Sequence, residues 1–211
     1  MKRPTFSQIA NFTNISEWGL SPYQILTLGF AGLIFFGAFL LTLPIASVNG
    51  ESMTFVNALF TATSATCVTG LVVTDTGTYF SYFGQMIIIL LIQVGGLGIM
   101  TMTTLMAVLM GKKINLRERL IMQEALNNLS IAGIVRLTMY IIKMTLFIEF
   151  IGGSILAIKF FLDYGIKGIY YGYWHAISAF CNAGFDLFGG YKSLMPYYSD
   201  WTVNLVFSAL I

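Results

Sequence analysis

The sequence predicts an all-α polytopic membrane protein built from repeated units, each a span, a re-entrant helix and a second span. Three observations predict it. The chain is 57% hydrophobic and only 9% charged, with a mean hydropathy of +0.80, where a soluble domain carries about 25% charged residues. Residues 18–50 and 76–111 hold no charged side chain at all, and each stretch exceeds the roughly 20 apolar residues that cross a bilayer. Finally, a nine-residue pattern occurs twice, as Ala62-Thr63-Ser64-Ala65-Thr66-Cys67-Val68-Thr69-Gly70 and as Ala176-Ile177-Ser178-Ala179-Phe180-Cys181-Asn182-Ala183-Gly184. Ala, Ser, Ala, Cys and Gly recur at the same five positions, and a large apolar residue, Leu71 or Phe185, follows each copy. A repeat at matching positions between apolar spans means that one structural unit is used twice.

The elements follow in order. Residues 1–21 are polar and mixed and read as a cytoplasmic or interfacial segment, with Trp18 and Tyr23 suited to the headgroup boundary. Pro22 can open a helix at its first turn, and the apolar run continues to Pro44 as the first span. That run is too long for a cleaved leader and no small-residue cleavage site follows it, so it reads as a retained helix. Residues 45–51 form a polar loop around Asn49-Gly50. Residues 52–65 are too short to span and read as a re-entrant half-helix, with Ser52 as cap and Glu51 at the end where the helix dipole favours an acid. The strip Thr66–Leu71 is irregular, residues 72–78 return outward, and a second span runs over roughly 82–111, completing a unit over 22–111.

Residues 112–132 form a charged connector with Lys112, Lys113, Arg117, Glu118, Arg119 and Glu124. The second unit occupies 133–211: a span over 133–162, a short helix over 168–180 ending at the second copy, and an apolar stretch from Trp201. That stretch ends eleven residues on, at Ile211, so the sequence reads as part of a longer pore, cut inside its fourth span. Lys2, Arg3, Lys112, Lys113, Arg117, Arg119 and Arg136 fall on one side, whereas residues 44–84 hold no Lys or Arg. The positive-inside rule places the amino terminus and the connector in the cytoplasm, so both loops enter from outside.

A re-entrant helix pointing inward turns the negative end of its dipole toward mid-membrane, where it stabilises a cation. The strip after it can offer backbone carbonyls in place of an ion's hydration shell. Thr66, Cys67, Val68, Thr69 and Gly70, with Phe180, Cys181, Asn182, Ala183 and Gly184, form the two candidate ion-binding strips, and none carries a charge. Carbonyl selection without charged ligands favours a large, easily dehydrated cation such as K⁺, though the strips alone leave Na⁺ open. Small-residue stretches are also common as helix-packing faces. Two copies at the same topological position favour the loop, because packing does not require the same glycine ending twice.

Here the residues carry a resemblance. Thr63–Leu71, Gln93-Val94-Gly95-Gly96-Leu97-Gly98 and His175–Phe185 resemble the membrane subunit of bacterial Ktr potassium uptake systems, in the Trk/Ktr/HKT superfamily. The resemblance implies a bacterial plasma-membrane protein with a pseudo-tetrameric pore of four such units and K⁺ translocation influenced by Na⁺. It also implies a homodimer and a cytosolic nucleotide-binding gating ring (KtrA-like). Gly70 and Gly184 match the first two filter glycines, and relatives preferring Na⁺ carry serine at the first, so Gly70 points to K⁺. The gating loop of the family lies in a third unit, beyond this sequence.

Other residues are weighed singly. Gly95, Gly96 and Gly98 interrupt the second span as a packing face or a hinge. Glu149 and Lys143 lie inside the third span, about 240° apart around a helix, so they do not pair. Glu149 calls for a partner from another span, and Arg136 and Lys143 can snorkel to the boundary. His175 is the lone histidine, and a hydrogen-bonded structural role suits it better than metal binding. Cys67 and Cys181 read as small buried thiols rather than a bridge. The net charge of +2 gives no reason to expect nucleic acid. The basic connector suits a gating ring or anionic lipid. No phosphate-binding glycine loop, nucleophile elbow or Cys/His cluster is present, so passive permeation of K⁺ is expected, with no catalysis and no bound cofactor. The rival is a non-transporting membrane scaffold; a weaker third reading, an intramembrane hydrolase, would require Ser64 or Ser178 beside His175.

Overall fold

The computed structural model describes residues 22–98, 101 and 134–211. The amino-terminal segment and the connector 112–132 lie outside them, as does the expected end of the second span at Gly111. The described residues are helical, with one isolated antiparallel bridge between Ser47 and Phe80. Helix α1 covers Pro22–Leu41, α2 Phe55–Thr66, α3 Thr76–Tyr79, α4 Tyr82–Leu97, α5 Ile134–Tyr164, α6 Ile166–Phe180 and α7 Trp201–Leu210. Short 3-10 turns occupy Pro44–Ala46 and Met195–Tyr197.

Several boundaries differ from those expected. The first short helix begins at Phe55 rather than at residue 52, and Thr54, not Ser52, is its N-cap. The expected polar loop 45–51 starts inside a 3-10 turn that Pro44 initiates. The return segment contains α3, whose N-cap Asp75 accepts from the backbone N–H groups of Gly77 and Thr78, both at 3.0 Å. Helix α4 stops at Leu97, because Gly98 takes φ 84° and its N–H donates to Gly95 O at 3.2 Å. The apolar composition continues past that point, so hydropathy alone does not register the break.

Among the described residues, Val135–Tyr164 is the helix long and apolar enough by itself to cross a membrane, while Leu26–Leu41, Tyr82–Leu97 and Trp201–Leu210 are shorter apolar helices. Large apolar side chains stand outward, among them Phe35, Phe36 and Phe39 on α1 and Phe147, Phe150 and Ile158 on α5. Apolar exposure on this scale marks a surface meant for something other than water.

One buried cluster joins α1, α2 and α4 through Ala38, Leu41, Ala58, Ala62, Ile88 and Ile92, and takes in Trp174, Ala183, Phe185 and Leu187 from the second half. A second joins α5, α6 and α7 through Leu156, Phe160, Ala176, Ala179, Val203 and Leu210. Small residues permit close helix approach: Gly172 on α6 leaves no room for a Cβ against the Ala157 backbone of α5. Gln85 ties the halves together. Its Nε2 donates to Phe80 O at 3.0 Å, its Oε1 accepts from Tyr170 Oη at 3.2 Å, and its carbonyl accepts from Trp174 Nε1 at 3.3 Å.

Candidate functional site

The two repeated strips fold alike, hydrogen bond by hydrogen bond. After α2, the N–H of Thr69 donates to Ser64 O at 3.0 Å and that of Val68 to Ala65 O at 3.3 Å. After α6, the N–H of Ala183 donates to Ser178 O at 2.8 Å and that of Asn182 to Ala179 O at 2.8 Å. Each pair of bonds is a Schellman ending, in which one residue past the helix takes a left-handed conformation. That residue is Val68, with φ 51°, or Asn182, with φ 55°. Two residues on, Gly70 and Gly184 take φ 73° and 72°, a region that glycine enters without steric cost.

The strips lie against each other. A Cβ on Gly70 would fall 2.8 Å from Ala183 O and 3.2 Å from Gly184 Cα, and one on Gly184 would fall 3.4 Å from Gly70 Cα. Their N–H groups at Val68, Thr69, Asn182 and Ala183 turn back to the helix ends. Among the described residues, no donor reaches the carbonyls of Cys67, Val68, Thr69, Cys181, Asn182 or Ala183. The hydroxyl of Thr66, at the end of α2, is buried and has no hydrogen-bond partner there either.

Each strip is braced differently. The hydroxyls of Ser64 and Thr69 lie 2.9 Å apart and hydrogen-bond each other. Ser178 Oγ instead donates to Phe185 O at 2.7 Å. His175, fully buried, receives the Leu187 N–H at Nε2 at 3.2 Å. A backbone N–H can only donate, so Nε2 is the bare nitrogen; Nδ1 carries the proton and donates to Tyr171 O at 2.7 Å. Phe188 stacks on its ring at a centroid distance of 4.3 Å. His175 is therefore a strut between α6 and the chain after the second strip. With both ring nitrogens on backbone atoms and Ser178 bonded to Phe185, the pairing that a hydrolase requires is not formed.

The glycines of α4 meet both strips. A Cβ on Gly95 would run into the carbonyl oxygen of Thr66, and one on Gly96 would lie 2.6 Å from Cys181 Sγ. Gly95 and Gly96 thus seat α4 on the ends of α2 and α6, while Gly98 ends the helix. Gln93, one turn before Gly96, donates from Nε2 to both carboxylate oxygens of Glu149, at 2.9 and 3.1 Å. Its Oε1 lies 3.9 Å from the Cys181 thiol. Lys143 is exposed and Glu149 buried, on different faces of α5. Both cysteines are free thiols, but neither is fully buried as expected; Cys67 is exposed and Cys181 half-buried, because they sit where the helices end rather than inside them.

On the loop side, Asp75 links the halves: Oδ2 accepts from the Tyr191 N–H at 2.9 Å while Oδ1 caps α3. Partial burial acts to raise the Asp75 carboxyl, but the N–H groups of Tyr191, Thr78 and Gly77 outweigh it and hold the group below the usual aspartate range. Asp75 and Gln85 escape a motif search, and Gln93, although it opens the Gln93–Gly98 segment, is not singled out by it. The signal that could have found the glutamines is an uncharged amide inside an apolar span, which needs an internal partner.

Comparisons with known proteins show the family of the chain. The chain is 47% identical to the Ktr system potassium uptake protein B of Bacillus subtilis over 191 residues, 90% of this chain and 42% of the relative. It is 45% identical to the potassium/sodium uptake protein NtpJ of Enterococcus hirae over 193 residues, 91% of this chain and 42% of that one. It is also 39% identical to the Ktr system potassium uptake protein B of Vibrio alginolyticus over 188 residues, 89% and 40% of the two chains. The chain thus spans about two fifths of the length of these curated relatives, all named as uptake proteins and none as an enzyme. The TrkH pattern, described as a cation transport protein, matches residues 21–211, and on that match the chain belongs to the TrkH family of membrane cation transporters.

Proposed function

We propose that this chain supplies two of the carbonyl strips of a K⁺-selective filter, and that K⁺ crosses the membrane passively between them and two further strips of the complete subunit. The observation that carries the reading is the abutment of two chemically matched strips at Gly70 and Gly184, with N–H groups turned inward to the helices and carbonyls left free. Carbonyl dipoles replace an ion's hydration shell without any charged ligand. The negative ends of the α2 and α6 dipoles, directly behind the strips, add to the attraction for a cation. In this reading the protein is multi-pass, with its amino terminus in the cytoplasm and α2 and α6 entering from outside as re-entrant pore helices. The complete subunit is a pseudo-tetrameric pore that forms a homodimer on a cytosolic nucleotide-binding ring (KtrA-like), with Na⁺ able to influence transport.

The experiment is complementation. The complete subunit is expressed in a host deficient in K⁺ uptake, with Gly70→Ser as the variant. A side chain at Gly70 collides with Ala183 O, so growth on low K⁺ is expected to fall and Na⁺ to compete. Unchanged growth together with an unchanged K⁺/Na⁺ preference at normal abundance sinks the filter assignment.

A further inference from the structure

The carboxylate of Glu149 stands on a membrane-length helix at 4% exposure. Among the described residues, no cation lies within ion-pair distance of it, and Gln93 is its hydrogen-bond partner. A buried acid in such a helix is costly, and function commonly retains it. A filler at this position would do as well with an apolar side chain. What the acid does here is orient an amide. Both Glu149 oxygens accept from Gln93 Nε2, so the acid fixes that end of the amide toward α5, and Oε1 then faces the Cys181 thiol. Cys181 also occupies the slot left by the missing side chain of Gly96. Its own N–H and that of Asn182 bond the last turn of α6, so any shift of Cys181 moves the first carbonyls of the second strip. Among the described residues, no equivalent chain to the first strip is formed: Cys67 is exposed there, and the Thr66 carbonyl rests on Gly95.

We propose that Glu149 is a positioning residue for the second strip, acting through Gln93 and Cys181, and that discrimination between K⁺ and smaller cations depends on this chain of contacts. The proposal rests on the carbonyl-filter reading. Preference between cations of different radius responds to small displacements of coordinating oxygens, so the selectivity ratio is the quantity that should move.

The test measures K⁺ and Na⁺ uptake against concentration for the complete subunit with its cytosolic partner in lipid vesicles. Glu149→Ala, Glu149→Gln, Cys181→Ala and Gly184→Ser are compared with the unsubstituted protein. Glu149→Ala frees Gln93, and the K⁺/Na⁺ ratio of apparent affinities is expected to fall on the order of tenfold, as for one buried hydrogen-bonded contact. Glu149→Gln keeps an acceptor for Gln93 Nε2 and is expected to restore most of the ratio. Cys181→Ala cuts the chain at its far end and is expected to shift the ratio in the same direction, which keeps the test decisive if Glu149→Ala fails to reach the membrane. A merely structural acid would lower abundance and maximal rate with the ratio intact, and that result overturns the proposal. If Gly184→Ser changes the ratio while Glu149→Ala and Cys181→Ala leave it unmoved, the positioning role fails and the filter stands. If Gly184→Ser has no effect either, the filter reading itself fails.

Discussion

Val68 and Asn182 hold the same backbone position in the two strips, at φ 51° and 55°. Asn is among the few non-glycine residues that enter the left-handed region readily, whereas a β-branched Val does so at a cost of about 1–2 kcal/mol. At Val68 the surroundings offset that strain, since its side chain packs on the cluster that joins the halves. Asn182 is exposed and has no such compensation. Replacing Asn182 by Val is therefore expected to destabilise the complete subunit by about 1–2 kcal/mol, read as a lowered Tm in detergent. The repeated glycines are visible in the sequence because identity at matching positions needs no geometry. The left-handed residue two places earlier is not, because Val there argues against such a conformation. Only Asn182 hints at it.

Helix α4 carries the contacts that position both strips. Its Gly95 has no room for a methyl group beside the Thr66 carbonyl, while a Cβ added to Gly32 on α1 would meet nothing within 4 Å. Gly95→Ala is expected to cost about 1–3 kcal/mol through overpacking and to reduce K⁺ uptake. Gly32→Ala is expected to be neutral or slightly stabilising, since alanine is preferred to glycine in a helix by about 1 kcal/mol. Thermal melts paired with uptake assays distinguish the two. Most helices are legible from apolar runs and helix-start signals: α6 begins and ends within two residues of its expected limits, and α5 ends two residues past its own. The break after α4 is not legible, since composition stays apolar through Gly98 while the backbone turns there. Likewise Ser52 looks like a cap, but the helix starts after Thr54. Glu149 announces that it needs a partner without revealing which, because Gln93 is neutral and 56 residues away along the chain.

Across the whole molecule, two halves of like local design meet through α4 and α6, through Gln85, and through the Asp75–Tyr191 contact on the loop side. The repeat tells of equivalence between the strips; it does not tell of proximity, which depends on how separate helices pack. That proximity turns two short motifs into one surface of free carbonyls, on a chain that belongs to the TrkH family. If that surface is a filter, a dehydrated monovalent cation sits against both strips. The most direct test is anomalous X-ray scattering from crystals of the complete subunit soaked in Tl⁺, a heavy substitute for K⁺. The expected result is ordered ion density beside the carbonyls around Gly70 and Gly184, lost when Na⁺ replaces Tl⁺. Ordered Tl⁺ elsewhere in the protein, with none touching either strip, would contradict it.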